Sequence, residues 1–251
     1  MTGLARPEIV FFDLGDTLIR PEPSWAHIYL AVCRAFGLPV ELDALERAMV
    51  AATRAGAWRL PGRFEASAEA SYRIIRDFDE AVMASLGIGD LPDRFYREVG
   101  AAFGRAASWH VFPDVVPALD ALAGAGIRRA VISNWVWEAP ELLHTLELAR
   151  RFERLIISAR VGYQKPHRRI FERALAETGV RAESAVHVGD SYEADVEGAR
   201  AAGIAAVLIR RTANDPARVR SDAPGGDAVP VVRDLFGLLD LLRVPAPAPA
   251  G

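Results

Sequence analysis

Five short apolar runs, each continuous rather than alternating, constrain the fold of this chain more than any other feature of its sequence. Continuous runs of this length are typical of strands that are buried on both faces of a parallel sheet. Amphipathic helical patterns separate the later runs, and this alternation predicts an α/β protein with a doubly wound, Rossmann-like parallel sheet. The runs cover residues 9–12, 130–132, 155–157, 185–188 and 206–209.

The interval between the first two runs is too long for a simple connection. No convincing strand is predicted from about Arg20 to about Phe112, and a plain crossover needs far fewer residues. We therefore predict a core domain of residues 1–19 and 112–243, an inserted helical domain of residues 20–111, and a flexible tail at 244–251, where proline and alanine alternate. The helical patterns of the insertion are Trp25–Phe36, Leu42–Arg54, Ala66–Leu86 and Pro92–Arg105.

The composition narrows the class of protein. The chain has 251 residues, a formal net charge of -3, 51% hydrophobic and 25% charged residues, which is typical of a soluble globular protein. This charge balance gives no reason to expect a nucleic-acid partner. No apolar run is long enough to span a membrane. The single cysteine, Cys33, has no partner for an internal disulfide, and the first residues lack a signal-peptide pattern, so we expect a cytoplasmic protein.

Polar residues follow the predicted strands, at the edge where open α/β sheets bind their ligands. Asp13 comes directly after the first strand, where a carboxylate can act as a covalent nucleophile. Ser133 and Asn134 follow the second strand, where a hydroxyl and backbone N–H groups can hold phosphate oxygens. Asp190 and Asp195 follow the fourth strand, and two acids there suit a hard divalent cation.

Lys165 is the only lysine among the 30 basic residues, all others being arginine. A compact ammonium fits between a carboxylate and a phosphate in a way that a planar guanidinium does not. Each of these polar features also has a plain structural explanation, as a turn, a helix cap or an accident of codon usage. Their order along the chain and their common position after strands favour a functional site.

This pattern resembles the haloacid dehalogenase (HAD) superfamily over most of the chain. The first motif of that family matches Asp13–Leu18, the second Ser133, the third Lys165 and the fourth Gly189–Asp195, whose GDxxxxD spacing is one of the accepted forms. The helical insertion is similar to the mobile cap of the family. The resemblance implies a hydrolase with an α/β core domain and a cap domain.

The resemblance also implies a mechanism. Asp13 would attack phosphorus and form an aspartyl-phosphate, which water would hydrolyse. The Asp13 carboxylate, the Gly15 carbonyl and Asp190 would hold Mg²⁺, and Asp195 would position Asp190 or a metal-bound water. The expected partner is a small phosphorylated metabolite, and the protein would be a monomer or a homodimer. Phosphate binding is assigned to Ser133, the N–H of Asn134, and Lys165.

One departure from the family pattern concerns the general acid. Phosphatases of the family carry a second aspartate two residues after the nucleophile, where this chain has Gly15, and the next acid is Asp16. General acid catalysis contributes about 10²–10⁴-fold. Asp16 could replace the missing acid, the substrate could have a good leaving group, or the protein could bind a phosphate ligand with little turnover. The alternative function is that of a metal-independent 2-haloacid dehalogenase. His187, which lies inside the fourth predicted strand, is expected to be a core residue whose hydrogen bonds are satisfied.

Overall fold

The computed structural model describes residues 5–60, 62–211 and 229–246 of the chain. Within these residues the strands are β1 (Ile9–Phe12), β2 (Ile19–Pro21), β3 (Trp109–Val111), β4 (Arg128–Ser133), β5 (Leu155–Ile157), β6 (Ala185–Gly189), β7 (Ala205–Ile209) and β8 (Val231–Val232). The α-helices are α1 (Trp25–Ala35), α2 (Leu42–Arg54), α3 (Ala68–Ser85), α4 (Asp93–Gly104), α5 (Val115–Gly124), α6 (Ala139–Thr145), α7 (Ser158–Val161), α8 (Arg168–Thr178), α9 (Gly198–Ala201) and α10 (Leu235–Leu242).

A six-stranded sheet forms the centre of the core domain. Its strand order is β5-β4-β1-β6-β7-β8, and every neighbouring pair is parallel. Side chains of a strand alternate between the two faces, so Phe12 packs with Leu119 on one face and Phe11 packs with Phe171 on the other. The predicted doubly wound α/β fold is confirmed, and all five predicted runs are strands of this sheet.

The strand order determines where a ligand can bind. The chain leaves β1, later forms β4 on one side of it, and afterwards forms β6 on the other side. Connections that leave a strand toward opposite sides open a crevice at the carboxyl ends of the strands. The residues that follow β1, β4 and β6 therefore surround one crevice.

The inserted helices α1–α4, here called the cap, have a hydrophobic core of their own. Tyr29, Leu45, Met83 and Phe95 are almost completely buried within it. Helices α1 and α3 begin at serine caps, as Ser24 and Ser67 each accept a hydrogen bond from a backbone N–H three residues later. The four predicted helices are present, with ends that differ by up to two residues from the predicted ones.

The prediction of no strand between Arg20 and Phe112 was wrong. Strands β2 and β3 pair antiparallel as a two-stranded ribbon, with Arg20 opposite His110. Each strand has only three residues, which is too short to display an alternating pattern, and Pro21 argues against a strand. The ribbon joins the cap to the core domain at both ends of the insertion.

The C-terminal segment completes the core with two elements that sequence analysis missed. Strand β8 lies at the edge of the sheet, and α10 begins at Asp234, whose side chain accepts a hydrogen bond from the Gly237 N–H. Val244 is buried against this part of the core, so the core extends beyond the predicted boundary at 243. The rest of the predicted tail, from residue 247 onward, lies outside the described residues. Within the described ranges, no helix has both the length and the apolar character needed to cross a bilayer.

Candidate active site

Asp13 lies at the carboxyl end of β1, at the bottom of the crevice, and is 8% exposed. Its backbone N–H donates to the Val188 carbonyl of β6 at 2.9 Å, which continues the pairing of the two strands. Its Oδ1 accepts hydrogen bonds from Ser133 Oγ at 2.9 Å and from Lys165 Nζ at 2.7 Å. Burial raises the pKa of the Asp13 carboxyl, and the charge of Lys165 opposes this rise. Three predicted site residues thus meet at one carboxylate oxygen.

The Lys165 ammonium bridges two buried carboxylates. Its Nζ donates to Asp13 Oδ1 at 2.7 Å and to Asp195 Oδ1 at 2.5 Å, and its side chain is 2% exposed. The side-chain amide of Asn134 fixes the lysine backbone, because its Nδ2 donates to the Lys165 carbonyl at 2.9 Å and its Oδ1 accepts from the Lys165 N–H at 2.7 Å. Burial alone would lower the pKa of Lys165, but the charges of Asp13 and Asp195 outweigh it and raise this pKa.

Asn134 therefore orients Lys165 through its side chain. The predicted role of its backbone N–H in phosphate binding remains a prediction.

Asp195 reaches the site from a π-helix at Tyr192–Glu197 that follows β6. Such helices are rare and are often found at functional sites. The carboxylate packs against Gly189, where a Cβ atom would overlap with it, so only glycine fits at this position. Its Oδ2 accepts a hydrogen bond from the Ser191 N–H at 2.9 Å. Burial opposes ionisation of Asp195, but Lys165 and the neighbouring His187 outweigh it and hold the pKa of this carboxyl below its ordinary value.

His187 belongs to the site, although sequence analysis assigned this residue to the core. It lies in β6, is completely buried, and its Nε2 is 2.9 Å from Asp195 Oδ1. Burial lowers the pKa of His187, so the ring is neutral and its Nε2–H donates to Asp195. Its Nδ1 has no hydrogen-bond partner among the described residues. The signal in the sequence was a histidine inside a strand that is otherwise apolar, two residues before the fourth motif.

Three carboxylates are grouped closely enough to hold a metal ion. One oxygen from each of Asp13, Asp190 and Asp195 lies within 4.8 Å of the others. The Lys165 ammonium contacts two of them, Asp13 and Asp195. Oxygen donors of this kind are the ligands that Mg²⁺ prefers. The residues present therefore fit a divalent cation, and the predicted ligation by the Gly15 carbonyl remains a prediction.

Gly15 faces the indole of Trp135, which comes from the loop after β4. A Cβ atom at Gly15 would lie 3.1 Å from Trp135 Cζ3, so a side chain here would press against the ring. The Trp135 backbone is tied to α7, since its N–H donates to Ser158 Oγ at 3.1 Å and its carbonyl accepts from the same hydroxyl at 3.2 Å. The indole thus occupies the space beside the position at which the usual acid is missing.

Asp16 has a left-handed backbone, with φ of 54°, and its N–H donates to the Ile19 carbonyl at 2.7 Å. Its negative charge favours the protonated form of Arg211. Arg211 itself forms a buried ion pair with Asp114 at 2.8 Å. Burial lowers the pKa of Arg211, and three aspartates, Asp114, Asp234 and Asp16, counteract this. The proposed role of Asp16 as proton donor remains a prediction.

The loop between α2 and α3 connects the cap to the active-site loops of the core domain. Arg59 forms an ion pair with Glu193 at 2.7 Å, and the Leu60 N–H donates to Gln164 Oε1 at 3.1 Å. The Phe64 N–H donates to the Gly162 carbonyl at 3.0 Å. These contacts fall directly before Lys165 and within the π-helix that carries Asp195.

Comparison with known proteins places the chain in a family. Residues 7–203 match the family described as haloacid dehalogenase-like hydrolase. The chain is 28% identical over 245 residues to the mouse haloacid dehalogenase-like hydrolase domain-containing protein 3, and the match covers 95% of this chain and 96% of the mouse protein. It is 34% identical over 135 residues to a glyceraldehyde 3-phosphate phosphatase of Methanothermobacter thermautotrophicus, with 52% and 58% of the two chains covered.

Solved structures show the same fold. A HAD phosphatase from Thermococcus onnurineus has a TM-score of 0.64 and 25% identity, with 94% of this chain and 97% of that chain covered. The L-2-haloacid dehalogenase of Xanthobacter autotrophicus has a TM-score of 0.72 and 20% identity, with 94% and 98% covered, and this likeness concerns the fold alone. Because the family match extends over most of the sequence and includes all four predicted motifs, the chain belongs to the haloacid dehalogenase-like hydrolases.

Proposed function

We propose that this hydrolase is a Mg²⁺-dependent phosphatase that cleaves a small phosphorylated metabolite through an aspartyl-phosphate on Asp13. The observation that carries the proposal is the position of the Lys165 ammonium between Asp13 and Asp195, beside a third carboxylate at Asp190. The three clustered carboxylates offer oxygen ligands to a divalent cation, which would offset their repulsion of an anionic substrate. The phosphatases among the similar proteins support the same reading.

Asp13 has the surroundings of a nucleophile. Both hydrogen bonds that it accepts from Ser133 and Lys165 go to Oδ1, which fixes the carboxylate and leaves Oδ2 as the oxygen that we assign to the attack. The new bond joins Oδ2 to phosphorus as the bond from phosphorus to the leaving oxygen breaks. A water molecule then attacks the phosphorus and releases inorganic phosphate, which regenerates the carboxylate.

The remaining residues orient the reactants and balance charge. Asp13 and Asp190 would hold the Mg²⁺ ion, which supplies electrostatic stabilisation of the transferring phosphoryl group when it is bound. Lys165 neutralises charge on the other side of the Asp13 carboxylate, and Ser133 presents its hydroxyl at the same oxygen. Asp195 and Asn134 hold the lysine in place from both sides.

A metal-independent 2-haloacid dehalogenase is the second candidate, because Gly15 leaves out the acid that a phosphatase uses. A dehalogenase would direct Asp13 at carbon in a substrate that carries its own carboxylate. The carboxylate of Asp190, close to Asp13 and Asp195, would repel such a substrate unless a cation is bound. The charge of the cluster therefore favours the phosphatase, and a phosphate-binding protein with little turnover is the third candidate.

The test is a panel of phosphorylated metabolites, p-nitrophenyl phosphate and a 2-haloacid, assayed for phosphate or halide release with Mg²⁺ and with a chelator. We expect phosphate release that requires Mg²⁺. Asp13→Asn should lower the rate by at least about 10³-fold, as is usual for loss of a nucleophile. Asp43→Asn makes the same chemical change at an exposed residue of α2 and should leave the rate unaltered.

Halide release without metal would refute the phosphatase proposal and support the dehalogenase instead. Full activity of the Asp13→Asn variant would refute the nucleophile, and phosphate binding without release from any substrate would support the third candidate. The cytoplasmic location, the absence of nucleic-acid partners and the monomer or homodimer remain predictions, and size-exclusion chromatography with light scattering tests the last of these.

A further inference from the structure

The residue opposite Gly15 limits which chemistry can occur beside the nucleophile. Gly15 is two residues beyond Asp13, and a Cβ atom there would meet Trp135 Cζ3 at 3.1 Å and Cη2 at 3.8 Å. A carboxylate at this position would need the indole to move. An aromatic ring therefore packs where a side chain at position 15 would lie, and this position supplies no proton donor.

Trp135 belongs to an aromatic cluster that crosses the boundary between core and cap. Its ring centroid is 5.1 Å from that of Trp109 in β3 and 6.2 Å from that of Trp25 at the start of α1. Trp25 in turn lies 5.3 Å from Trp109 and 5.5 Å from Phe103 of α4. Trp25 is 37% exposed and Trp135 is partly buried, so both rings keep accessible surface.

We propose that Trp135 and Trp25 form the leaving-group subsite of the enzyme, and that its substrates are phosphate monoesters of planar aromatic alcohols. This inference rests on the proposed phosphatase function and names its substrate class. Aromatic rings pack favourably against the faces and edges of other rings, which gives the two indoles a means of selecting such a group. An alkyl alcohol would gain less from the same surface.

The chemistry of the leaving group agrees with this assignment. As Oδ2 of Asp13 forms its bond to phosphorus, the bond between phosphorus and the aryl oxygen breaks, and its electron pair leaves with that oxygen as a phenolate. A phenolate is a far more stable anion than an alkoxide, so it departs without a proton donor at position 15 and takes its proton from water afterwards. Water then hydrolyses the aspartyl-phosphate, and the products are a phenol and inorganic phosphate.

Ligand binding tests the subsite independently of turnover. Phenylphosphonate and methylphosphonate carry the same anionic group and differ in the ring, and calorimetry with Mg²⁺ present gives both dissociation constants. We expect phenylphosphonate to bind about tenfold more tightly, as an aromatic pair allows. In Trp135→Leu the two constants should become nearly equal. Trp58→Leu removes a tryptophan that packs on Phe78 within the cap and should preserve the ratio.

Turnover of aryl and alkyl phosphates tests whether the absence of a proton donor at position 15 restricts the leaving group. The native enzyme should favour phenyl phosphate over an alkyl phosphate in kcat/KM, and Gly15→Asp alone should not improve the alkyl substrate, because the indole blocks the carboxyl group. The double variant Gly15→Asp with Trp135→Leu should raise kcat for the alkyl phosphate above that of Trp135→Leu. The added acid has room only in the double variant.

The outcomes separate the two proposals. Equal binding of the two phosphonates by the native protein, or an unchanged ratio in Trp135→Leu, would overturn the subsite even if the enzyme is a phosphatase. Absence of phosphate release from every ester would overturn the function, while the binding ratio would still report on the subsite. If Trp135→Leu does not fold, Trp25→Leu makes the same test at the exposed ring, and an unchanged ratio there would equally count against the subsite.

Discussion

Asp79 in the cap makes the stability of this protein depend on pH, and Asp79→Asn should remove that dependence. The residue lies in α3, is 3% exposed, and its Oδ2 has no hydrogen-bond partner among the described residues. Burial raises the pKa of its carboxyl to about 8 from an ordinary value of 3.8. The Tyr29 hydroxyl donates to the Asp79 backbone carbonyl at 3.4 Å, and its interaction with the Asp79 side chain opposes the rise in pKa without overcoming it.

The sign of the effect follows from the direction of this shift. Below pH 3.8 the carboxyl is protonated in both the folded and the unfolded chain, so its contribution to stability is fully present. As the pH rises toward about 8, the unfolded chain loses the proton and the folded chain keeps it, which lowers the free energy of unfolding by about 1.4 kcal/mol per pH unit. The total loss is on the order of 5 kcal/mol once the folded carboxyl also ionises.

Urea unfolding of the native chain and of Asp79→Asn at pH 5, 6, 7 and 8, followed by circular dichroism, measures this difference. The variant should gain about 4 kcal/mol relative to the native chain between pH 5 and pH 8. Asp77→Asn alters an exposed residue of the same helix and should give a curve parallel to that of the native chain. Parallel curves for Asp79→Asn as well would refute the reasoning, because they would mean that the carboxyl is solvated in the folded state.

Two further variants test the active site. Lys165→Arg keeps the charge, but the buried space between Asp13 and Asp195 holds only a compact ammonium. We therefore expect kcat to fall by about 10²-fold or more, as it does when a reacting group is misplaced by about 1 Å. Near-native kinetics would show that a guanidinium fits. Gly189→Ala should push the Asp195 carboxylate away from Lys165 and destabilise the fold by about 1–3 kcal/mol. The melting temperature and kcat should therefore both decrease. An unchanged melting temperature would show that the carboxylate has room for the added methyl group.

The strands that are buried on both faces could be predicted because their sequences contain almost nothing but apolar residues. The predicted site followed from them, since carboxyl ends of adjacent parallel strands meet at one edge, and Asp13, Ser133 and Lys165 do lie within hydrogen-bond distance. The short ribbon strands β2 and β3 could not be found, because three residues carry no period.

Other parts of the site depend on distances that no local pattern contains. His187 resembles any core residue of a strand until the π-helix brings Asp195 against its ring. The covering of Gly15 by Trp135 joins residues 120 positions apart, and it results from the placement of the loop after β4. The hydrogen bonds between the Asn134 side chain and the Lys165 backbone also join residues that are distant in the sequence, and sequence analysis considered only the backbone N–H of Asn134.

The contacts of Arg59, Leu60 and Phe64 with the core have a consequence for how such an enzyme can change over time. Gly162 tolerates the close approach of Phe64 only because it has no side chain, since a Cβ atom there would lie 2.7 Å from the Phe64 carbonyl oxygen. A cap grafted from a relative would need a segment that matches this glycine and Gln164, or it would disturb the loop that leads to Lys165. The cap and the loop that leads to Lys165 are therefore constrained to evolve as a pair.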